Sequence, residues 1–281
     1  MIAFVGSVFS PYYAWRRRRK GDDGAPAQAH NALNLSLQRR GRTSWTMTER
    51  GAAALVRTRE RLVLGPSALH WRGDRLHVDV DERAAPWPRR VRGRVVLHPL
   101  ALCDHVEWLD PGHRHRWSPI APRARIEVDL PQPGTRWQGD AYLDCNWGAV
   151  PLARDFVSWD WSRAHLRGGS SAVVYDIRGR DGGVCTLTLG FDSAGRAQSR
   201  SAPPPAALPR SSWGLQRCTR GDDAQARLLH TLEDGPFYAR SLAQARWWGE
   251  PVRTVHERLS LDRFIAPWVQ AMLPFRMPRR G

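Results

Sequence analysis

Hydrophobic and polar residues alternate along most of this chain. In "ALHWRGDRLHVDVDE" (residues 68–82), Leu76, Val78 and Val80 hold one parity and His77, Asp79 and Asp81 the other, beside a Gly73–Asp74 pair. A period of two belongs to a half-buried strand, so the segment predicts a hairpin turning at Gly73–Asp74. "RGRVVLHPL", "RARIEVDL" and "RWQGDAYLDCNW" continue in the same style, and "SSAVVYDIRGRDGGVCTLTLGF" predicts a second hairpin across Asp181–Gly182–Gly183. The proline-rich "SAPPPAALPRSS" (201–212) predicts a loop between strands.

One segment keeps a helical period. Behind Ser260 as a cap, Leu261, Phe264, Ile265, Trp268, Val269, Met272 and Leu273 form one stripe. Pro267 predicts a kink or a restart within it. Such a helix either closes one end of a barrel or lies on a membrane, because the stripe runs into "LPFRMPRR". The fold class expected is all-β with this C-terminal helix. At 281 residues the chain has room for one large β unit or two domains, with a boundary expected near 150–160.

Composition narrows the setting. An apolar content of 42% supports real cores, and no window approaches the ~20 apolar residues of a membrane-spanning helix. The N-terminal "MIAFVGSVFSPYYAW" lacks both the charged start and the small-residue cleavage site of a signal peptide, and is expected to be part of the fold. Cys103, Cys145, Cys185 and Cys218 are scattered without a CxxC pair, which points to a reducing, cytoplasmic location. The formal charge of +16 comes from arginine, since Lys20 is the sole lysine. That bias fits a GC-rich coding sequence as well as it fits a function. Two clusters are more local: "YYAWRRRRK" (12–20) and "FRMPRR" (275–280) set arginines beside aromatics, a combination suited to an anionic membrane surface. RNA phosphates would attract the same groups, but no RNP-like, KH-like or zinc-finger spacing accompanies them, so no nucleic-acid partner is expected.

Candidate chemistry concentrates in "TRWQGDAYLDCNWGAVPLARDFVSWDWSRAHL" (135–166) and just before it. On a strand, Tyr142, Asp144 and Asn146 share one face and Leu143, Cys145 and Trp147 the other; His113, His115 and Trp117 alternate likewise. Of the 14 tryptophans, Trp108, Trp117, Trp137, Trp147, Trp159 and Trp161 fall in this region, which suggests an aromatic pocket holding a few polar groups. Three chemistries compete. Cys103, His105, His113 and His115 offer metal ligands, but HxH without a partner at a recognised spacing is a weak signal, and no metal is expected. A hydrolase would need a nucleophile elbow, yet GxSxG is missing and Cys145 faces away from Asp144. The third is a carboxylic acid among aromatics: burial lets aspartate keep its proton, and aromatic faces stabilise a carbocation. That combination suits acid chemistry on an alkene.

"FVGSVFSPYYAW", "WTMTERG", "SALHW", "YLDCNWGAVPL" and "FVSWDWSRA" resemble the carotenoid 1,2-hydratases, or hydroxyneurosporene synthases, of purple photosynthetic bacteria, almost end to end. The chain is expected to begin at the first of these motifs, without the N-terminal extension of relatives. The resemblance implies two tandem lipocalin-like (calycin-type) β-barrels. Residues 1–155 would form the first and carry most of the site; residues 156–281 would form the second and end in the amphipathic helix. It also implies cofactor-free addition of water to the terminal C1–C2 double bond of acyclic carotenes such as neurosporene and lycopene.

The family's His-x-Trp pair matches His115 and Trp117, and its Tyr-x-Asp pair matches Tyr142 and Asp144. Asp144 would then protonate C2. The faces of Trp117 and Tyr142 would steady the tertiary cation at C1, and His115 would orient Asp144 or the water and accept a proton. Asn146, Trp147, Trp159 and Trp161 are the substrate-binding candidates, with Trp147 expected as core filler rather than tunnel wall. The expected partners are the carotenoid and the surface of the inner or intracytoplasmic membrane. A non-enzymatic carrier on the same scaffold would need the pocket without the acid. A terpenoid cyclase would need the acid but keep water from the cation.

Overall fold

The computed structural model describes residues 1–21, 24–39 and 42–280, and the chain is mostly β. It divides into two compact units that interleave in sequence. The first comprises Met1–Pro99, Arg125–Ala141 and Gln270–Gly281; the second comprises Leu100–Ala124 and Tyr142–Val269. A single boundary near residue 155 therefore does not describe how contacts divide the chain. The reason is the hairpin of His115–Gln132 and Thr135–Gly148: each of its strands contributes residues to both units.

In the first unit, Ile2–Val5 and Arg42–Met47 both pair with Asn31–Arg39, and the short strand Arg279–Arg280 runs parallel to Glu49–Arg50. The two ends of the chain thus share one sheet. Beside it runs an antiparallel meander of Leu55–Arg57, Arg61–Leu64, Ser67–Arg72, Arg75–Arg83 and Arg90–Ala101. The predicted hairpin turns at Gly73–Asp74 and buries Leu76, Val78 and Val80, as the alternation requires. One element was not expected. Pro11–Lys20 is an α-helix, capped by Ser10, whose hydroxyl accepts the Tyr13 amide at 3.0 Å. Its signals are a proline in the first turn and Arg17, Arg18, Arg19 and Lys20 in the last, where cations meet the negative end of the helix dipole.

The second unit is built on a seven-stranded antiparallel sheet in the order Ala197–Ser199, Val184–Phe191, Ser171–Gly179, Phe156–His165, Glu250–Ser260, Tyr238–Trp247 and Ala226–Asp234. Its central strand, Phe156–His165, is covered on both faces. On one face Asp160 accepts the Cys218 amide at 3.2 Å and Ser162 bonds Thr219 at 2.9 Å. These partners belong to a two-stranded ribbon of Pro205–Leu208 and Arg217–Arg220, so the segment predicted as a proline-rich loop contains a strand. Prolines are tolerated there because a ribbon edge leaves backbone N–H groups unneeded. On the other face, Trp161 lies opposite Tyr175 on one side and Glu257 on the other, and Glu257 lies opposite Arg240. Tyr175, Trp161, Glu257 and Arg240 thus form one row across four strands, with Trp159 and Arg163 on the same face two residues either side of Trp161.

The C-terminal helical stripe is interrupted as Pro267 predicts. Leu261–Ile265 and Pro267–Met272 are separate helices, and Ser260 caps the first through the Arg263 amide. Leu261, Phe264, Val269 and Leu273 are buried, whereas Ile265, Trp268 and Met272 are exposed, because the restart at Pro267 turns the second half of the stripe out of phase.

Candidate active site

Four of the residues singled out in the sequence meet in the second unit, although the expectation put most of the site in an N-terminal domain. Trp117 comes from the start of His115–Gln132, Tyr142 and Asp144 from the end of Thr135–Gly148, and Trp161 from the central strand. The period-2 pairing of Tyr142 with Asp144 puts both on the inner face. The Tyr142 ring lies 5.4 Å from the Trp161 ring and the Trp117 ring 6.0 Å from Tyr175.

Asp144 is the centre of this cluster. Its Oδ2 accepts the Trp117 indole N–H at 2.8 Å and the Tyr142 hydroxyl at 3.2 Å. Both donors converge on one oxygen, which leaves Oδ1 outside this pair of bonds. Withdrawal of the carboxyl from water pushes its pKa up to about 6. The bonds from Trp117 and Tyr142 and the Arg163 charge pull the other way, and the Glu257 charge adds to the rise. Burial likewise lifts the phenols of Tyr142 and Tyr175 well above their ordinary value, so both stay protonated and able to donate. The Arg163 guanidinium stands 5.2 Å from the Tyr142 ring centre, and its pKa is lowered by burial.

His115 takes a different place from the one expected. It is fully buried, its Nε2–H donates to Asp155 Oδ2 at 2.8 Å, and Arg114 donates to Asp155 Oδ1 at 2.6 Å. Its backbone N–H donates to Asp110 Oδ1 at 2.7 Å. The other ring nitrogen faces Gly148: a Cβ at that glycine would stand 2.4 Å from His115 Nδ1 and 3.2 Å from the Arg114 carbonyl oxygen. His115 therefore packs on the end of the strand Thr135–Gly148 and bonds Asp155, and has no hydrogen bond to Asp144 among the described residues. Gly148→Ala should cost about 1–3 kcal/mol through this overpacking, read as a lower denaturation midpoint. Unchanged stability would show that the imidazole is not clamped.

The remaining candidates separate. Trp159 packs edge-on against Phe156 and Tyr175 at 6.0 and 5.8 Å, beside the cluster. Asn146 is exposed, and Trp147, expected to be core filler, is 43% exposed, with the Arg116 guanidinium 6.0 Å from its ring. The strand's end leaves the sheet's cover, so alternation there no longer separates core from solvent. His113 lies in a turn with φ 54° and stacks on Trp108 at 4.7 Å, so it does not share a strand face with His115. His105 bonds Glu107 at 2.7 Å. The three histidines weighed as metal ligands each have a separate partner.

Sequence reading missed Arg163, Tyr175, Glu257, Arg240 and Asp155. Arg163 had a signal, because it continues the odd parity of Trp159 and Trp161. Glu257 and Arg240 had none: only the pairing of strands nearly 100 residues apart in sequence brings them to this face.

The sequence matches the family described as carotenoid hydratase CrtC over residues 1–281. The acyclic carotenoid 1,2-hydratase of Rubrivivax gelatinosus is 49% identical over 281 residues, covering all of this chain and 69% of its own length. That of Cereibacter sphaeroides is 40% identical over 282 residues, covering all of this chain and 98% of its own. Among solved structures, an AttH-type protein of Nitrosomonas europaea superposes with a TM-score of 0.58 at 15% identity over 82% of this chain and 81% of that one, a likeness of fold.

Proposed function

This chain belongs to the carotenoid hydratase family CrtC, and from that premise we propose that it is an acyclic carotenoid 1,2-hydratase in which Asp144 is the acid. The observation that carries the assignment is the convergence of Trp117 N–H and Tyr142 O–H on Asp144 Oδ2, in a carboxyl whose pKa is raised to about 6. Protonated Asp144 delivers H⁺ from Oδ1 to C2 of the terminal double bond, and the charge falls on C1, where it is tertiary. Water adds at C1 and loses a proton, leaving the tertiary alcohol. The two bonds at Oδ2 stabilise the carboxylate left behind, which is where negative charge develops.

A group of pKa about 6 holds its proton in about one molecule in ten at pH 7. An apolar chain entering the site removes water and shifts the balance further toward the acid form. Trp161, Trp159 and the Tyr142 ring supply aromatic surface beside the cation. Trp117 acts through its N–H edge rather than its face. His115 is a positioning residue, holding the strand that carries Asp144.

Two large antiparallel sheets in one chain, with an AttH-type likeness in fold, support the reading of a tandem pair of lipocalin-like barrels. Peripheral contact with a membrane is supported by the first unit. Trp15 is 54% exposed with the Arg19 guanidinium 4.8 Å from its ring, and Phe275 is 78% exposed beside Arg276, whose guanidinium lies over Trp45. Among the described residues no helix is long and apolar enough to cross a membrane.

One experiment tests activity and attachment together: purified protein with lycopene-loaded vesicles, made with and without anionic lipid, followed by mass analysis. Pigment gaining one water supports the hydratase, and in D₂O the product should carry one deuterium at C2 and the oxygen at C1. An isomer of unchanged mass would indicate a cyclase, and unaltered pigment a carrier. Added salt should weaken binding to anionic vesicles without abolishing it, because only the charged part is screened; equal partitioning to neutral vesicles would remove the electrostatic part.

A further inference from the structure

Hydration needs a group to take the proton that water loses, and His115, enclosed by Asp155, Arg114 and Gly148, is not placed to do it. The inner face of the seven-stranded sheet holds a second carboxylate. Glu257 stands directly across from Trp161, the residue packed on Tyr142, which in turn bonds Asp144. Arg240 donates to Glu257 from Nε at 2.9 Å and from a terminal nitrogen at 2.8 Å, both to Oε1. A further Arg240 nitrogen donates to Glu233 at 3.2 Å. Arg240 therefore fixes Glu257 through Oε1, and the buried Tyr238 hydroxyl is a further donor beside this carboxyl. The Trp161 indole N–H is buried and has no acceptor among the described residues. A buried N–H of this kind calls for a partner, and it lies on the row that carries Glu257.

We propose that Glu257 is the base of the hydration, taking the proton from the water that adds to C1. The inference rests on the reading of Asp144 as the acid. Asp144 transfers its proton to C2 and the π bond breaks; a lone pair of water forms the C1–O bond; the O–H bond of that water breaks and its proton passes to Glu257 Oε2. Trp161 N–H donates to the water oxygen and directs its lone pair at C1. The enzyme is left with ionised Asp144 and protonated Glu257, and exchange with solvent restores both, so the net change is one alkene and one water to one alcohol. Two carboxyl groups on one sheet face, Asp144 withdrawn from water and Glu257 fixed by Arg240, are what a paired acid and base require.

The test compares Glu257→Gln with Asp144→Asn in D₂O, using lycopene in vesicles and reading both hydration and deuterium in the recovered lycopene. With Glu257→Gln, hydration should fall at least ~10²-fold. Asp144 should still protonate C2 reversibly, so recovered lycopene should gain deuterium. Asp144→Asn should lose hydration and exchange together. Hydration by Glu257→Gln near the wild-type rate overturns the base, as does loss of exchange in a folded Glu257→Gln protein. Exchange persisting in Asp144→Asn overturns the acid instead. Glu257→Asp keeps the charge beside Arg240 while withdrawing the oxygen by one methylene. It carries the same test should Glu257→Gln not fold: reduced hydration with retained exchange supports the base, and full hydration overturns it.

Discussion

Asp144→Asn should abolish hydration, by at least ~10²-fold and as much as ~10⁴-fold, while the protein still binds its carotene and melts no lower than the wild type. Asparagine keeps an oxygen to accept Trp117 N–H and Tyr142 O–H, so the two bonds that organise the site can persist. What disappears is the transferable proton. The stability half follows from the sign of the shift. With a folded pKa of about 6 against an ordinary value of 3.8, the unfolded chain releases the proton first. Stability therefore falls as pH climbs from about 4 to about 6, and the ionised carboxyl costs up to about 3 kcal/mol at neutral pH before the discount for solvent reaching a partly exposed residue. Removing the charge relieves that cost. A merely structural aspartate tying strands together would instead lose melting temperature and activity in parallel. Catalysis has its own pH signature, since only the protonated form acts: the rate should decline as pH rises through about 6. A folded Asp144→Asn protein that hydrates lycopene at the wild-type rate would sink the assignment.

Period-2 alternation carried the fold a long way because most strands here have one face turned to a core. The hairpin at Gly73–Asp74 and the one at Asp181–Gly183 could be read from a dozen residues each, since turn glycines and the parity of Leu76, Val78 and Val80 are local facts. The helix Pro11–Lys20 was hidden for the opposite reason. Five consecutive basic residues, Arg16 to Lys20, carry no apolar stripe, so the only signals were at the helix ends: the Ser10 cap followed by proline, and the cations of the last turn. The division into units was hidden more deeply. It depends on which ends of two long strands pack on a sheet formed later in the chain, and nothing within residues 115–148 records that.

The site was legible where its members sit on one strand. Tyr142 and Asp144 are two residues apart and share a hydrogen bond, as alternation implies. His115 and Trp117 are also two apart, and there the same logic misled: parity placed both inward but could not say that Asp155 and Gly148 enclose one while Asp144 receives the other. Glu257 and Arg240 reach the site only through strand pairing.

Trp117 supports the largest expected loss of stability, and its two substitutions separate its roles. The indole is fully buried, packs edge-on against Tyr175 at 6.0 Å and donates to Asp144. Trp117→Ala should cost about 3–5 kcal/mol through the cavity it leaves, with activity lost along with the fold's rigidity around Asp144. Trp117→Phe keeps most of the ring volume and removes the N–H. That bond holds the Asp144 pKa down against burial, so its loss should move the alkaline fall of the rate upward by about one to two pH units, given about 1.5–3 kcal/mol for a hydrogen bond to a charged group. The maximal rate should drop as well, because a weaker acid gives up its proton more slowly. A ring-face role for Trp117 makes the contrary prediction: phenylalanine offers a π face too, so the rate would fall moderately while the pH profile stayed in place. A Trp117→Phe protein with an unmoved profile would therefore return Trp117 from hydrogen-bond donor to cation stabiliser.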